Sequence, residues 1–220
     1  MIKEVLGKPS FDIEKQLFTK GYRFIAGLDE AGRGSLAGPL AVSFTIYDQK
    51  CFFDPNFLLA KEIDDSKKIT ASKRKKILSQ IEKKALTSLV IFISHNTIDQ
   101  ININRATELA VRRLLKKTKI YPDVLIMDGN FSFNLPIPFF SIIKGDNKSI
   151  SIASSSIKAK VSRDELMEKL DNYFPIYNFK KHKGYGTQEH RDLILKNGFC
   201  KIHRKSYEPV KSLYLHQKQS

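Results

Sequence analysis

The sequence predicts an α/β fold, with a sheet of mixed strand direction and helices packed on its faces. Two short apolar runs rich in Ile, Phe and Val flank a glycine-rich stretch near the start of the chain, and strand and helix patterns alternate further along. The chain has 220 residues, of which 41% are hydrophobic and 28% charged. This length and balance suit one good-sized domain with a substantial core.

The elements follow in chain order. Strands are predicted at residues 23–28, 41–46, 88–93, 124–127 and 139–143. Thr70 is an N-cap candidate for a basic helix with Ile77 and Ile81 on its inner face, a second amphipathic helix begins near Asn104, and residues 149–170 form one or two more. We expect a lead-in segment at residues 1–22, a main domain at residues 23–179 and a basic helical subdomain at residues 180–220.

The charge indicates a polyanionic partner. Lys and Arg number 38 against 23 Asp and Glu, a formal net charge of +15. Residues 66–84 hold eight basic residues and one acid, and residues 180–220 hold ten basic residues and three acids. No apolar run is long enough for a membrane span, so we expect a cytoplasmic protein. Cys51 and Cys200 have no CxxC partner and are expected to be ordinary thiols.

Acidic residues follow three of the apolar runs. Asp29 and Glu30 end the first predicted strand, Asp128 ends the fourth, and Asp146 ends the fifth at the sequence KGD. In so basic a chain, acids that face a polyanion imply bridging cations, and Mg²⁺ prefers oxygen ligands of this kind. Neighbouring strand residues point to opposite faces, so Glu30 can join Asp29 only if the strand bulges or if Glu30 contributes its backbone carbonyl.

These acids belong to a longer pattern that resembles bacterial ribonuclease HII, the type 2 ribonuclease H family. The pattern consists of LDEAGRGSLAGP (28–39), DSKK (65–68), DGN (128–130), KGD (144–146), AKVSRD (159–164), HKGY (182–185) and HRKSYEPV (203–210). The resemblance runs from about residue 23 to 215 and so covers nearly the whole chain. The related ribonuclease HIII family is disfavoured, because its members carry a sizeable N-terminal domain whereas 28 residues precede Asp29 here.

The resemblance implies a ribonuclease H-like fold with a small helical C-terminal extension, and an endonuclease that leaves 5′-phosphate ends. Its substrates would be RNA/DNA hybrids and duplex DNA with embedded ribonucleotides, and the DNA duplex would be cut on the 5′ side of the ribonucleotide. We expect a monomer. The implied site has four acids that hold two Mg²⁺ or Mn²⁺ ions: Asp29, Glu30, Asp128 and Asp146. The implied substrate contacts are the Gly32-Arg33-Gly34 backbone at the ribose 2′-OH, Tyr185 at the next sugar, and Ser66, Lys67, Arg204 and Ser206 at phosphates.

Some residues depart from the family pattern or have plainer interpretations. Gly186 stands where the family commonly has proline, which would loosen the Tyr185 loop. Asp164 is interpreted as a helix charge near an arginine, and phosphate contact by His182 and His203 stays open. A basic nucleic-acid-binding module without chemistry is the alternative function. It would explain the charge but leave the acids without a role.

Overall fold

The computed structural model describes residues 8–57, 59–64 and 70–219. Its α-helices are α1 (Asp12–Phe18), α2 (Gln49–Phe52), α3 (Leu59–Asp64), α4 (Ala71–Lys84), α5 (His95–Lys117), α6 (Ile150–Asp171), α7 (Phe179–His182), α8 (Gln188–Asn197) and α9 (Val210–Gln219). Its strands are β1 (Ile25–Ala31), β2 (Leu40–Ile46), β3 (Thr87–Ile93), β4 (Val124–Asp128) and β5 (Phe139–Ile142). In these described ranges, no helix has the length and hydrophobicity needed to cross a membrane.

The five strands form one mixed sheet in the order β3-β2-β1-β4-β5. β1 pairs antiparallel with β2 and parallel with β4, and β4 pairs parallel with β5. β1 is therefore the central strand, and it ends at the same edge of the sheet as β4. This shared edge is where parallel strands deliver their last side chains, so it positions the candidate site.

Each face of the sheet is covered by helices. Ile25 and Ile126 pack on one face against α6 residues such as Ile152, whereas Leu28 and Met127 pack on the other face in the same core cluster as α5 residues. Both faces of β1 and β2 are buried, which explains why these strands read as continuous apolar runs rather than alternating ones. The sequence interpretation of an α/β fold with a mixed sheet is confirmed.

The predicted lead-in segment contains a helix that the sequence did not indicate. In α1, Ile13 and Leu17 are buried in the core. Glu14 is also buried, and its carboxylate accepts hydrogen bonds from the Ser149 hydroxyl and the Ser151 backbone N–H at the start of α6. Burial raises the pKa of Glu14. The segment before β1 thus packs on the N-terminus of the longest helix of that face.

The C-terminal helices form a smaller core of their own. Phe179, Ile194 and Val210 cluster there with Leu36 and Met167, which come from the loop after β1 and from α6. The loop between β1 and β2 is therefore enclosed between the sheet and the C-terminal helices. This enclosure brings residues 182–210 next to the turn that follows the acidic pair.

The helix predictions are confirmed, with changes at their ends. Thr70 caps α4, and its side chain accepts a hydrogen bond from the Lys73 backbone N–H. α5 begins earlier than Asn104 and breaks at Asn102, whose φ is 66°. Residues 149–170 fall in one helix, α6, capped by Ser149.

Candidate active site

Asp29 and Glu30 lie at the end of β1 and point to opposite faces of the sheet. The pairing of β1 with β2 runs without interruption from Ala26 opposite Ile46 to Ala31 opposite Ala41. There is no bulge at Asp29, so of the two ways in which Glu30 could join Asp29, the contribution of its backbone carbonyl is the one that this register leaves. Asp29 lies on the face of α6, where it bonds to Ser156, and Glu30 lies on the face of α5, near Arg33.

The two acids and Asp128 nevertheless form one electrostatic group. Burial, the neighbouring Glu30 and Asp128 together raise the pKa of Asp29 well above its ordinary value, although a hydrogen bond from Ser156 opposes this. Burial raises the pKa of Glu30 to about 7; the positive charge of Arg33 opposes this rise and Asp128 adds to it. Asp128 follows Met127, which lies in register with Leu28. Carboxylates that repel one another in a buried place call for a cation.

Asp146 is not at a strand end. β5 stops at Ile142, and Asp146 lies in a short 3₁₀ turn that follows it. The N–H of Gly145, its neighbour, donates a hydrogen bond of 2.6 Å to the Asp128 carboxylate. The backbone of this turn therefore adjoins Asp128. The role of Asp146 as an ion ligand stays a prediction.

The donor chemistry of these residues fits hard divalent ions. The acids offer oxygen atoms only, and Glu30 Oε2 is buried with no hydrogen-bond partner in the described part of the chain. Within the same residues no trio of His, Cys, Asp or Glu side chains forms a ready-made metal cage. This is compatible with Mg²⁺, which is commonly held by one or two carboxylates and completed by waters and substrate phosphates.

The turn of Gly32, Arg33 and Gly34 follows the acids, with only Ala31 between Glu30 and the turn. The Arg33 guanidinium donates hydrogen bonds to Thr107 Oγ1 at 3.0 Å and Asn104 Oδ1 at 2.8 Å. Its Nε lies 3.7 Å from Glu30 Oε1. These contacts tie the Arg33 side chain to α5 and to the acidic group. What the turn can offer a ligand is its backbone.

Tyr185 lies beside this turn despite its distance in the sequence. It pairs with Ser35 in an antiparallel bridge, and the carbonyl of Gly184 accepts a hydrogen bond of 2.8 Å from the Leu36 N–H. The ring is half-buried, and the cationic groups of Lys160 and Arg163 lie 5.0 and 5.1 Å from its centroid. A sugar-facing role for Tyr185 stays a prediction.

The expected phosphate contacts are not all supported. Arg204 is fully buried, and its guanidinium donates hydrogen bonds to the carbonyls of Gly32, Arg33 and Gly38, so the expectation that it grips a phosphate is wrong for this structure. Ser206 is exposed, but its hydroxyl donates to Asp99, whose charge opposes a phosphate. Ser66 and Lys67 lie outside the described residues.

Three histidines of the C-terminal segments, His182, His190 and His203, are buried rather than exposed to a substrate. His190 Nε2 and His203 Nε2 are 3.1 Å apart, and His182 stacks on His190 with ring centroids 4.2 Å apart. The pKa of His190 falls to about 4 and that of His203 to about 3, chiefly because burial disfavours the charged form. Phosphate contact by His182 or His203, left open by the sequence, is not supported by this burial. Asp164 forms an ion pair with Lys160 one turn away, as expected of a helix charge.

Three residues of the site had no clear signal in the sequence: Ser156, Arg163 and Tyr207. Ser156 was indistinguishable from the small residues around it in α6. Arg163 and Tyr207 lie inside the sequence blocks of the family pattern, but only their hydrogen bonds assign them a part: Arg163 donates to the loop after β1 and to the Tyr185 segment, and Tyr207 donates to the turn. Tyr207 Oη donates to the Arg33 carbonyl at 2.9 Å.

Comparison with known proteins agrees with this geometry. Residues 26–210 match the family model described as Ribonuclease HII. Ribonuclease HII of Caldicellulosiruptor saccharolyticus is 45% identical over 197 residues, covering 90% of this chain and 93% of the relative. Ribonuclease HII of Syntrophus aciditrophicus is 48% identical over 199 residues, covering 90% of each.

Solved structures share the fold. The ribonuclease H2 of Pyrococcus horikoshii OT3 gives a TM-score of 0.74 at 22% identity and covers 90% of this chain and 100% of that one. Bst-RNase HIII in complex with Mn²⁺ gives a TM-score of 0.68 at 17% identity, over 90% of this chain and 71% of that one. At these identities the likeness establishes the ribonuclease H-like fold alone.

Proposed function

The chain belongs to the ribonuclease HII family and is a ribonuclease H, an endonucleolytic hydrolase; from this premise we propose how it selects and cuts its substrates. It cuts the RNA strand of RNA/DNA hybrids, and in duplex DNA it cuts the phosphodiester on the 5′ side of an embedded ribonucleotide. Two divalent ions, Mg²⁺ or Mn²⁺, are held by Asp29, Glu30, Asp128 and Asp146. The reaction takes place in the cytoplasm.

The observation that carries this proposal is the group of buried, mutually repelling carboxylates at the shared end of β1 and β4. Asp29 is only 7% exposed, and Asp128 raises the pKa of both Asp29 and Glu30. Such a group costs stability unless something neutralises it. A chain with a formal charge of +15 has no evident use for it except to hold cations against a polyanion.

Divalent ions held by Asp29, Glu30, Asp128 and Asp146 would supply an activated water and would stabilise the leaving oxygen in phosphodiester hydrolysis. The chain's own residues orient this chemistry. Ser156 steadies the Asp29 carboxylate through its hydrogen bond, and the Gly145 N–H steadies that of Asp128. Fixed ligands spare the reorganisation that mobile carboxylates would require in the transition state.

Selectivity for ribose comes from the elements beside the acids. The 2′-OH is the group that distinguishes RNA from DNA, so selectivity needs a close contact to it. The Gly32-Arg33-Gly34 backbone offers that contact at the ribose, and the Tyr185 ring stacks on the following sugar. Both elements lie at the same end of the sheet, linked by the bridge between Ser35 and Tyr185.

The test is a cleavage assay with matched variants. The substrates are an RNA/DNA hybrid and a DNA duplex with one ribonucleotide, and cut positions are read on a gel in Mg²⁺ and in Mn²⁺. Asp128→Asn keeps the shape of the side chain but removes a ligand's charge, so kcat should fall by about three orders of magnitude or more while duplex binding is retained. The control is Asp192→Asn, an exposed carboxylate on α8 whose loss should leave kcat unchanged.

Two results would contradict the proposal. One is near-normal cleavage by Asp128→Asn, which would remove the acid from the reaction. The other is tight binding of both substrates by the wild-type protein with no cleavage under any divalent ion, which would favour the non-catalytic binding module. A cut on the 3′ side of the ribonucleotide would overturn the assignment of the scissile bond.

A further inference from the structure

Two arginines are buried together behind the Gly32-Arg33-Gly34 turn. Arg163 of α6 and Arg204 of the segment before α9 are the largest fully buried side chains of the described residues. Burial lowers the pKa of Arg204 to about 10, so its guanidinium is still charged at neutral pH. A buried charge is costly unless it is fully hydrogen-bonded, and two like charges in one place cost more. The arrangement therefore needs an explanation beyond packing.

Both arginines donate hydrogen bonds to backbone carbonyls of the loop after β1, and Arg163 also donates to one in the Tyr185 segment. Arg204 donates to Gly32 O at 2.7 Å, to Arg33 O at 2.8 Å and to Gly38 O at 3.2 Å. Arg163 donates to the carbonyls of Ala37, Pro39 and Lys183 at 2.9–3.1 Å. Arg204 thus fixes the turn itself, whereas Arg163 joins the loop to the Tyr185 segment.

The direction of these bonds decides what the turn presents. In a trans peptide the carbonyl of one residue and the N–H of the next point to opposite sides. Because Arg204 holds the carbonyls of Gly32 and Arg33 inward, the N–H groups of Arg33 and Gly34 point away from it. Gly34 is exposed, and a Cβ placed on it would meet no atom within 4 Å, so the turn is open to solvent at this residue. The turn therefore offers hydrogen-bond donors at an open surface.

We infer that Arg204, assisted by Tyr207, is a positioning residue for sugar recognition: it holds the two carbonyls inward so that the turn meets a ribose 2′-oxygen with N–H donors. Tyr207 contributes a second bond, from its hydroxyl to the Arg33 carbonyl at 2.9 Å, and its ring lies 5.1 Å from the Arg204 guanidinium. This role replaces the phosphate contact first expected of Arg204. It rests on the proposed function of the turn.

The experiment measures sugar discrimination in binding. Dissociation constants are determined for a DNA duplex and for the same duplex with one ribonucleotide, with Ca²⁺ as the divalent ion, and their ratio is compared between variants. Partial unfolding weakens both affinities alike and leaves the ratio unchanged, so the ratio reports the turn and not general stability. Cleavage of the ribonucleotide duplex in Mg²⁺ is measured in parallel.

Arg204→Lys retains the charge but cannot reach both carbonyls, because a single ammonium lacks the planar fork. We expect the ratio to fall about tenfold, as for one lost charge-assisted hydrogen bond, with the affinity for the DNA duplex within about twofold of wild type. Tyr207→Phe removes one hydroxyl and should lower the ratio about fivefold. The control is Arg112→Lys, an exposed arginine that donates to the Asn134 carbonyl from α5 and should leave the ratio unchanged.

An unchanged ratio in both variants, with a wild-type protein that discriminates and cleaves, overturns the inference and leaves the proposed function standing. Should Arg204→Lys fail to fold, Tyr207→Phe decides alone. A wild-type protein that cleaves but binds both duplexes equally also overturns the inference, because the turn would not read the sugar on binding. A wild-type protein that neither discriminates between the duplexes nor cleaves refutes the proposed function, and the inference falls with it.

Discussion

A methyl group added at Gly32 should affect the fold, whereas one added at Gly34 should affect only the substrate. A Cβ on Gly32 would lie 2.1 Å from Arg163 Nε, and its φ is 93°, a region that costs an alanine about 1–2 kcal/mol. Displacing a packed side chain costs about 1–3 kcal/mol more. Together these terms predict a loss of about 2–5 kcal/mol for Gly32→Ala. Gly34 has no positive φ and no neighbour in reach, so Gly34→Ala should change stability by less than about 1 kcal/mol.

Urea unfolding of the two variants gives the free energies, and for a chain of this size the Gly32→Ala loss corresponds to a drop in Tm of about 5–15 °C. Cleavage of a duplex with one ribonucleotide gives the functional effect. Gly34→Ala should be as stable as wild type yet cut more slowly, because its methyl group occupies the space that a sugar approaches. Wild-type stability of Gly32→Ala would refute the steric argument, and wild-type cleavage by Gly34→Ala would refute close approach at this turn.

Three further predictions follow from the site and its surroundings. Tyr185→Ala should lose more activity on a single embedded ribonucleotide than on a continuous hybrid, whereas Tyr185→Phe should resemble wild type; equal losses on both substrates would make Tyr185 a general packing residue. Duplex affinity should fall steeply with salt, with a log-log slope of about −3 or steeper if three or more phosphates are contacted, and a flat plot would contradict a basic binding path. Because the pKa of His190 is lowered to about 4, its burial contributes stability that is fully present above the ordinary histidine pKa of 6.5 and is lost, by about 3 kcal/mol, as the pH falls toward about 4. The urea midpoint of a His190→Gln variant should therefore fall less than that of the wild type between pH 7 and 4.5. An equal fall in both proteins would argue against a buried neutral imidazole.

Much of this protein could be predicted from local pattern. The five strands and the helices α4, α5 and α6 follow from apolar periodicity and, for α4, from the N-cap Thr70, because these signals lie within a few residues of one another. The acids of β1 and β4 could be placed at one edge because parallel strands end together. The sequence also indicated the polyanionic partner, since net charge needs no coordinates.

The tertiary structure alone decided which residues serve the site indirectly. Arginine and histidine are residue types that can bind phosphate, and the C-terminal segments contain several of them. Only the packing of the C-terminal helices against the loop after β1 shows that Arg204, His182, His190 and His203 are buried. A one-dimensional pattern cannot distinguish an arginine that faces solvent from one that holds backbone carbonyls, because the distinction depends on residues such as Gly32 that lie far away in the chain. The same holds for Glu30, whose face followed from an unbroken strand register and whose raised pKa depends on burial and on the approach of Asp128. Burial and long-range contact determine the energy of a charge, so the roles of charged residues were the part that required the fold.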